Sequence, residues 1–325
     1  MFSQESSKAI SDAYVAVRLT GGNDITPEVK EFMGRYKVRG YPTLYVMNTD
    51  GHVVVPNVGR TTEKILEALA TGDKREAEFA ATAGKTDPAS VVARGRMLAD
   101  RMMWDEAKPL LEDAMAKSPS DDAAEALLGL YRATGAAEPA KALLTKSLAD
   151  FPKSPWRGAW RVRLATFDLD GNPPKSRDEA MARMQKGVET LESLLKQVQE
   201  EKDAASEPDV RLALGNAFNV QGKTDEATAH YDAALAANPP SRVAAAALMG
   251  LANAHWRKKD YEGCIAQLER ILKDHPSADE AQNAAAGIEN CRRMIAEQKA
   301  KEEKPKEPGP SEPGPKSGGG TDAPK

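Results

Sequence analysis

The chain has 325 residues, of which 45 are Lys or Arg and 49 are Asp or Glu, giving a net charge of −4 and a pI near 5.8. An acid excess is the wrong surface for a phosphate backbone, so nucleic acid is not an expected partner. Hydrophobic residues make up 41% and aromatic residues only 5%, a balance that suits helices packed through small side chains better than a β-sandwich, and the length fits two or three domains. No apolar run approaches the roughly 20 residues of a membrane span. Met1–Ser7 has neither a basic start nor an apolar core, so it does not read as a signal peptide. The two cysteines, Cys264 and Cys291, are far apart and no C-x-x-C occurs, which excludes a thioredoxin-type redox centre and a zinc ribbon within this sequence. His52, His230, His255 and His275 show no ligand spacing, and neither a metal nor a cofactor is expected.

In chain order, Tyr14–Leu19 alternates Val15, Val17 and Leu19 on one face, as a strand does. Thr26-Pro27-Glu28 is a helix start: Thr caps, Pro occupies the first turn, and an acid follows near the positive end of the dipole. Val29, Phe32, Met33 and Tyr36 then recur at helical spacing. Gly40-Tyr41-Pro42-Thr43 leads into the strand-like Leu44–Met47, the turn Asn48-Thr49-Asp50-Gly51 marks a hairpin, and His52–Val55 is its second arm. A last helix begins near Thr61 and runs to about Ala83. The order strand, helix, strand, hairpin, helix is α/β.

These elements resemble the second half of a thioredoxin domain, most closely the variant at the C-terminal end of transmembrane thiol–disulfide interchange proteins. Phe2-Ser3 matches a pair that follows the Cys-x-x-Cys helix in that variant. The resemblance therefore implies that catalytic cysteines would lie upstream of Met1, that residues 1–75 form a truncated, redox-silent thioredoxin-like domain, and that this chain has no catalytic residue. It also implies a cis Pro42, with Tyr41 and Thr43 flanking a peptide-docking edge; the residue pattern alone leaves open a trans proline that starts a strand. A longer form with the motif would be a thiol–disulfide oxidoreductase of the periplasm or a secreted space; otherwise the cytoplasm is expected.

Residues 76–300 are helical and repetitive. One copy of the repeat holds Leu214-Gly215, Phe218, Gly222, Ala227, Tyr231, Ala234 and Pro239. Others hold Gly95, Leu98, Trp104, Ala107, Leu111, Ala114 and Pro119; Leu127-Leu128, Tyr131, Gly135, Ala140, Leu144, Ser147 and Pro152; and Leu251-Ala252, His255, Tyr261, Cys264, Leu268, Ile271 and Pro276. The closing prolines recur at 33 and 37 residues, around a period of about 34. This resembles tetratricopeptide repeats: small residues such as Ala107, Ala140 and Ala227 let paired helices approach, Leu111, Leu144 and Tyr231 fill the seam, and proline ends the second helix. Residues 153–207 form an irregular pair. Trp156, Trp160, Leu164 and Phe167 make one stripe, the loop Asp170–Pro174 follows, and a capping box of Ser176 and Glu179 opens a helix with Met181, Met184, Val188, Leu191, Leu195 and Val198 at a/d spacing. That seam is expected to pack within the solenoid, with a dimerising seam as the alternative. A second capping box, Ser277 and Glu280, opens a final helix carrying Ala281, Ala285, Ile288, Cys291 and Ile295. Residues 301–325, rich in Pro, Gly, Lys and Glu, cannot bury a core and are expected to be disordered.

Tetratricopeptide arrays bind peptides along the groove lined by their inner helices. By resemblance, Arg96, Arg132, Asn216, Asn219, Asn253, Trp256 and Arg257 face it here, so a protein or peptide client is the implied partner. The lysines of the two-carboxylate clamp found in one subset of these repeats are not evident; a solvated groove without a special ligand is the alternative. Cys264 occupies a position that needs a small buried residue. Packing explains it, and a structural disulfide with Cys291 across the helical hairpin is the second candidate reading.

Overall fold

The computed structural model describes residues 26–36, 38, 43–56, 58–59, 61–169 and 174–302. The expected strand at Tyr14–Leu19, Phe2-Ser3, Tyr41, Pro42 and the tail beyond Glu302 lie outside them. The chain divides into two compact units, residues 1–170 and 171–325.

The first unit opens with α1 (Pro27–Arg35), whose Thr26 hydroxyl accepts from the Val29 amide as the sequence suggested. A hairpin follows, with β1 (Val46–Met47) antiparallel to β2 (Val53–Val55). Asn48 Oδ1 accepts from the amides of Asp50 and His52, and Gly51 takes φ 78°, which only glycine adopts without steric cost. The Tyr36 hydroxyl donates to the Gly51 carbonyl, which ties α1 to the turn. Among the described residues this two-stranded pair is the only sheet; the wider sheet of a thioredoxin domain is not seen there.

Helix α2 (Thr62–Ala80) packs on the hairpin and runs unbroken past residue 75, where the first domain was expected to end. Its far end is joined to α3 (Pro88–Asp100). Phe79 lies between the Arg94 and Arg101 guanidiniums, 4.3 and 4.0 Å from its centroid, and Arg101 is buried against Glu76. Arg75 donates to the Val54 carbonyl from the same helix. The N-terminal elements and the first repeat are thus bonded through α2.

Then come α4 (Trp104–Lys117), α5 (Asp121–Thr134), α6 (Ala137–Asp150) and α7 (Arg157–Ala165), followed by a 3-10 turn at Phe167–Leu169. Each packs on the next, and α3 also touches α5. The core holds Ala107, Leu111, Leu127, Leu128, Ala140 and Leu144, which the repeat pattern named, and Trp160 from the stripe of the irregular pair. Each such Leu contributes about 1.5–3 kcal/mol by leaving water. The Trp160 indole is fully buried and donates to Glu125 Oε2 at 2.8 Å, while Arg163 grips both oxygens of the same carboxylate at 2.7 and 2.8 Å.

The second unit contains α8 (Arg177–Glu200), α9 (Glu207–Val220), α10 (Thr224–Ala236), α11 (Ser241–Arg257), α12 (Tyr261–Asp274) and α13 (Ala281–Glu302). Consecutive helices pack together, and α9 also meets α11. In α8, Ser176 caps Glu179 as expected, but the buried residues are Val188, Leu191, Leu194 and Val198. Met181 is exposed and Leu194 takes the place expected for Leu195, because a straight helix drifts off a strict seven-residue stripe. At the other end, Ser277 and Glu280 lie in turns and α13 starts only at Ala281. Ala284 is buried instead of Ala285. Left-handed residues close the turns between helices; Gly222 does so freely, whereas Lys202 and Lys259 do so at φ 55° and 61° with the strain of a side chain.

Candidate partner-binding face

Tyr231, on α10, organises the middle of the second unit. Its ring is fully buried between two glycines. A Cβ on Gly215 of α9 would lie 2.5 Å from Cε1, and one on Gly250 of α11 would lie 2.6 Å from Cε2. The absent side chains let α9 and α11 close on the ring from both sides. The hydroxyl, itself out of water, donates to Asn216 Oδ1 at 2.9 Å. Burial pushes this hydroxyl up to about 12, with the Arg257 charge pulling the other way, so it stays a donor.

Asn216, Asn219 and Val220 share one stripe of α9, and Asn253, Trp256 and Arg257 share one of α11, by their spacing of three and four. The stripes adjoin, since Arg257 Nη1 donates to the Asn219 carbonyl at 2.8 Å. Asn216, Asn253 and Arg257 are exposed, Val220 is 69% exposed and Trp256 38%. The Trp256 ring meets Tyr261 edge-on at 5.1 Å, which fixes its pose. Asn219 Oδ1 is buried and accepts no hydrogen bond from any described residue. Toward the N-terminal ends of the same two helices, Asp209 is buried and clamped by Arg242 at 2.6 and 3.0 Å, a second bond between α9 and α11.

Five of the seven groove residues expected from sequence are therefore brought onto one face. The other two belong to the first unit. Arg96, on α3, donates to the Asp122 carbonyl and carboxylate and so staples α3 to α5; Arg132 stands exposed on α5. Val220 was missed by the sequence reading, although its i+4 relation to Asn216 places it on the same stripe. Thr43, of the expected docking loop, is half-buried just before β1.

Cys264 on α12 and Cys291 on α13 are both buried free thiols with their sulfurs 3.1 Å apart. Burial first, then the neighbouring thiol, pushes Cys264 up to about 12, far from what a nucleophilic cysteine needs. Among the described residues no group of three His, Cys, Asp or Glu is placed to hold a metal ion, and no helix is long and apolar enough to cross a membrane.

Residues 181–242 and 212–279 match the tetratricopeptide repeat family model. A search of curated proteins finds no match. Similar solved structures include a tetratricopeptide repeat protein of Thermus thermophilus, at 17% identity over 62% of this chain and 99% of that one, with a TM-score of 0.41. A human IFIT1 dimer with m7Gppp-AAAA is 14% identical over 74% of this chain and 51% of that one, TM-score 0.43, so the chain spans about half of that protein's length. MamA of strain AMB-1 is 21% identical over 59% and 93%, TM-score 0.28. The family match places tetratricopeptide repeats within residues 181–279, and the packed helices on either side make an all-helical, repeat-like array; such repeats suggest a protein-interaction scaffold.

Proposed function

We propose that this chain is a scaffold that holds an extended segment of a partner protein across the α9–α11 face. The observation that carries the reading is Asn219 Oδ1, a buried acceptor with no partner among the described residues, on the stripe of α9 that also carries the exposed Asn216 and Val220 and adjoins the α11 stripe of Asn253 and Trp256. Leaving such an acceptor unmatched costs about 1–3 kcal/mol, and the backbone N–H of an extended peptide would match it. Asn216 and Asn253 offer further amide groups, Trp256 and Val220 an apolar anchor, and Arg257 a charge for an acidic group. The acid excess of the chain favours a protein ligand over a nucleic acid.

A photoreactive residue placed at Trp256 in cells that make the protein tests this. The expected result is one dominant protein adduct, lost when Asn219→Ala and Arg257→Ala are added, and absent when the probe sits at the exposed Glu189 of α8. Equal labelling at both positions would refute it.

We infer further that residues 1–75 are the second half of a thioredoxin-like domain, with Tyr41, Pro42 and Thr43 as its docking loop. The order α1, hairpin, α2 supports this, as does the bond from Arg75 to the hairpin. Residues 1–75 contain no cysteine and so supply no dithiol, which makes their part docking. The alternative, an oxidoreductase whose motif lies upstream of Met1, would be favoured by an intact mass from the native cell that exceeds this chain and includes two more cysteines.

A further inference from the structure

We propose that Cys264 and Cys291 form a reversible disulfide that fastens α13 to α12. Two independent observations carry this. The chain's only two cysteines, 27 residues apart, meet with their sulfurs 3.1 Å apart inside one helical hairpin. And Cys264 stands where the other repeats place Ala107, Ala140 and Ala227, all buried. Packing at that position is served by alanine; a thiol adds only sulfur chemistry, and it faces the one other sulfhydryl of the chain.

The geometry needs little change. A disulfide requires the sulfurs to close to about 2.05 Å, roughly 1 Å nearer, which side-chain rotation within a packed hairpin supplies. Access comes from the position of α13. Its main packing partner is α12, through Ala284, Ile288 and Cys291, while Glu289, Asn290, Arg292 and Arg293 face solvent. A helix held by one face opens locally more readily than one packed on two.

The oxidant is a low-molecular-weight disulfide. On opening, the thiolate of one cysteine attacks it, its S–S bond breaks, and one small thiol leaves from a mixed disulfide. The second cysteine then attacks the protein sulfur of that intermediate and expels the second small thiol. The two cysteines lose two electrons and two protons, and both pass to the small disulfide, which departs as two thiols.

The test uses the full chain, reduced and then refolded from urea in a glutathione redox buffer, quenched, denatured and alkylated. The expected product has lost two hydrogens, takes no alkyl group, yields one linked peptide pair containing residues 264 and 291, and recovers two alkylatable thiols after dithiothreitol. The closed loop should also raise the melting temperature of the oxidised chain by several degrees. Cys264→Ala, the residue of the other repeats, should fold and carry one alkylatable thiol with no monomeric bridge. Two free thiols after oxidising refolding, two glutathiones per chain, or disulfide-linked dimers alone would each overturn the proposal.

Discussion

The glycine–tyrosine–glycine layer makes a prediction whose sign can be inverted. In Gly250→Ala the new methyl would stand 2.6 Å from Tyr231 Cε2, about 1 Å inside normal carbon contact. The ring cannot swing away, because Gly215 abuts it as well, so closely that a Cβ there would lie only 2.5 Å from Cε1. Overpacking of this kind costs about 1–3 kcal/mol, while alanine gains about 0.8–1 kcal/mol over glycine within a helix. The net expectation runs from no change to a loss of about 2 kcal/mol. In a Tyr231→Leu background the clash is gone, and the same substitution should be neutral or stabilise by up to ~1 kcal/mol. The double-mutant cycle therefore gives a coupling of about 1–3 kcal/mol. Urea unfolding followed by helical circular dichroism measures it. A repeat array need not unfold in one step, so amide hydrogen exchange in α9–α11 serves as the local readout. If Gly250→Ala stabilised the parent chain as much as the Tyr231→Leu chain, the account of the layer would be wrong.

Two further outcomes follow from buried polar groups. Glu125→Ala strands the fully buried Trp160 indole donor and half-buries an unpaired Arg163, so urea unfolding of the first unit should lose about 2–3 kcal/mol; Arg96→Ala, which breaks an exposed pair, should cost under about 1 kcal/mol. His230, stacked on Phe218, is held below its usual value first by burial and then by the Arg211 charge, with Glu192 opposing. The unfolded chain therefore takes up this proton at about pH 6.5 while the folded chain resists. Stability falls as pH drops below that point and levels off once the folded group titrates. His230→Phe should flatten this part of the pH–stability curve and leave the rest; an unchanged slope would assign it to other groups.

The repeats were legible because they rest on size. Ala227 against Tyr231, or Ala107 against Leu111, is a small–large pair at fixed spacing, and such pairs survive in sequence as a period. What failed to show was polar and distant. Nothing local marks Glu125 as the carboxylate that Trp160 and Arg163 share, or Asp209 as the one Arg242 clamps, since each link spans more than thirty residues and a buried carboxylate looks like a surface one until its partner is known. Helix phases slipped by one residue at Leu194 and Ala284 for a geometric reason, as 3.6 residues per turn do not hold an exact seven-residue stripe. Ser277 and Glu280 carried a capping signature but were used by turns, with the Ala278 amide bonding to the His275 carbonyl and that of Ala281 to Ala278. The capping signature thus named the wrong residue as the start of the helix, which begins at Ala281.

The α9–α11 face shows where packing ends and recognition begins. Arg257 spends its guanidinium on the Asn219 carbonyl, and Asn216 receives the hydroxyl of a tyrosine that two glycines fix in place. These two residues belong partly to the framework, and changing them disturbs α9 and α11 as well as any ligand. Trp256 is edge-packed but open, Val220 is open, Asn253 is exposed, and the Asn219 amide oxygen is unmatched. Fold stability constrains these four groups least. Selectivity between partners should therefore reside in them, so that Val220 and Asn253 substitutions shift which partner is held while leaving urea unfolding where it was. The same substitutions at Asn216 would move both together, because Tyr231 joins that side chain to the core.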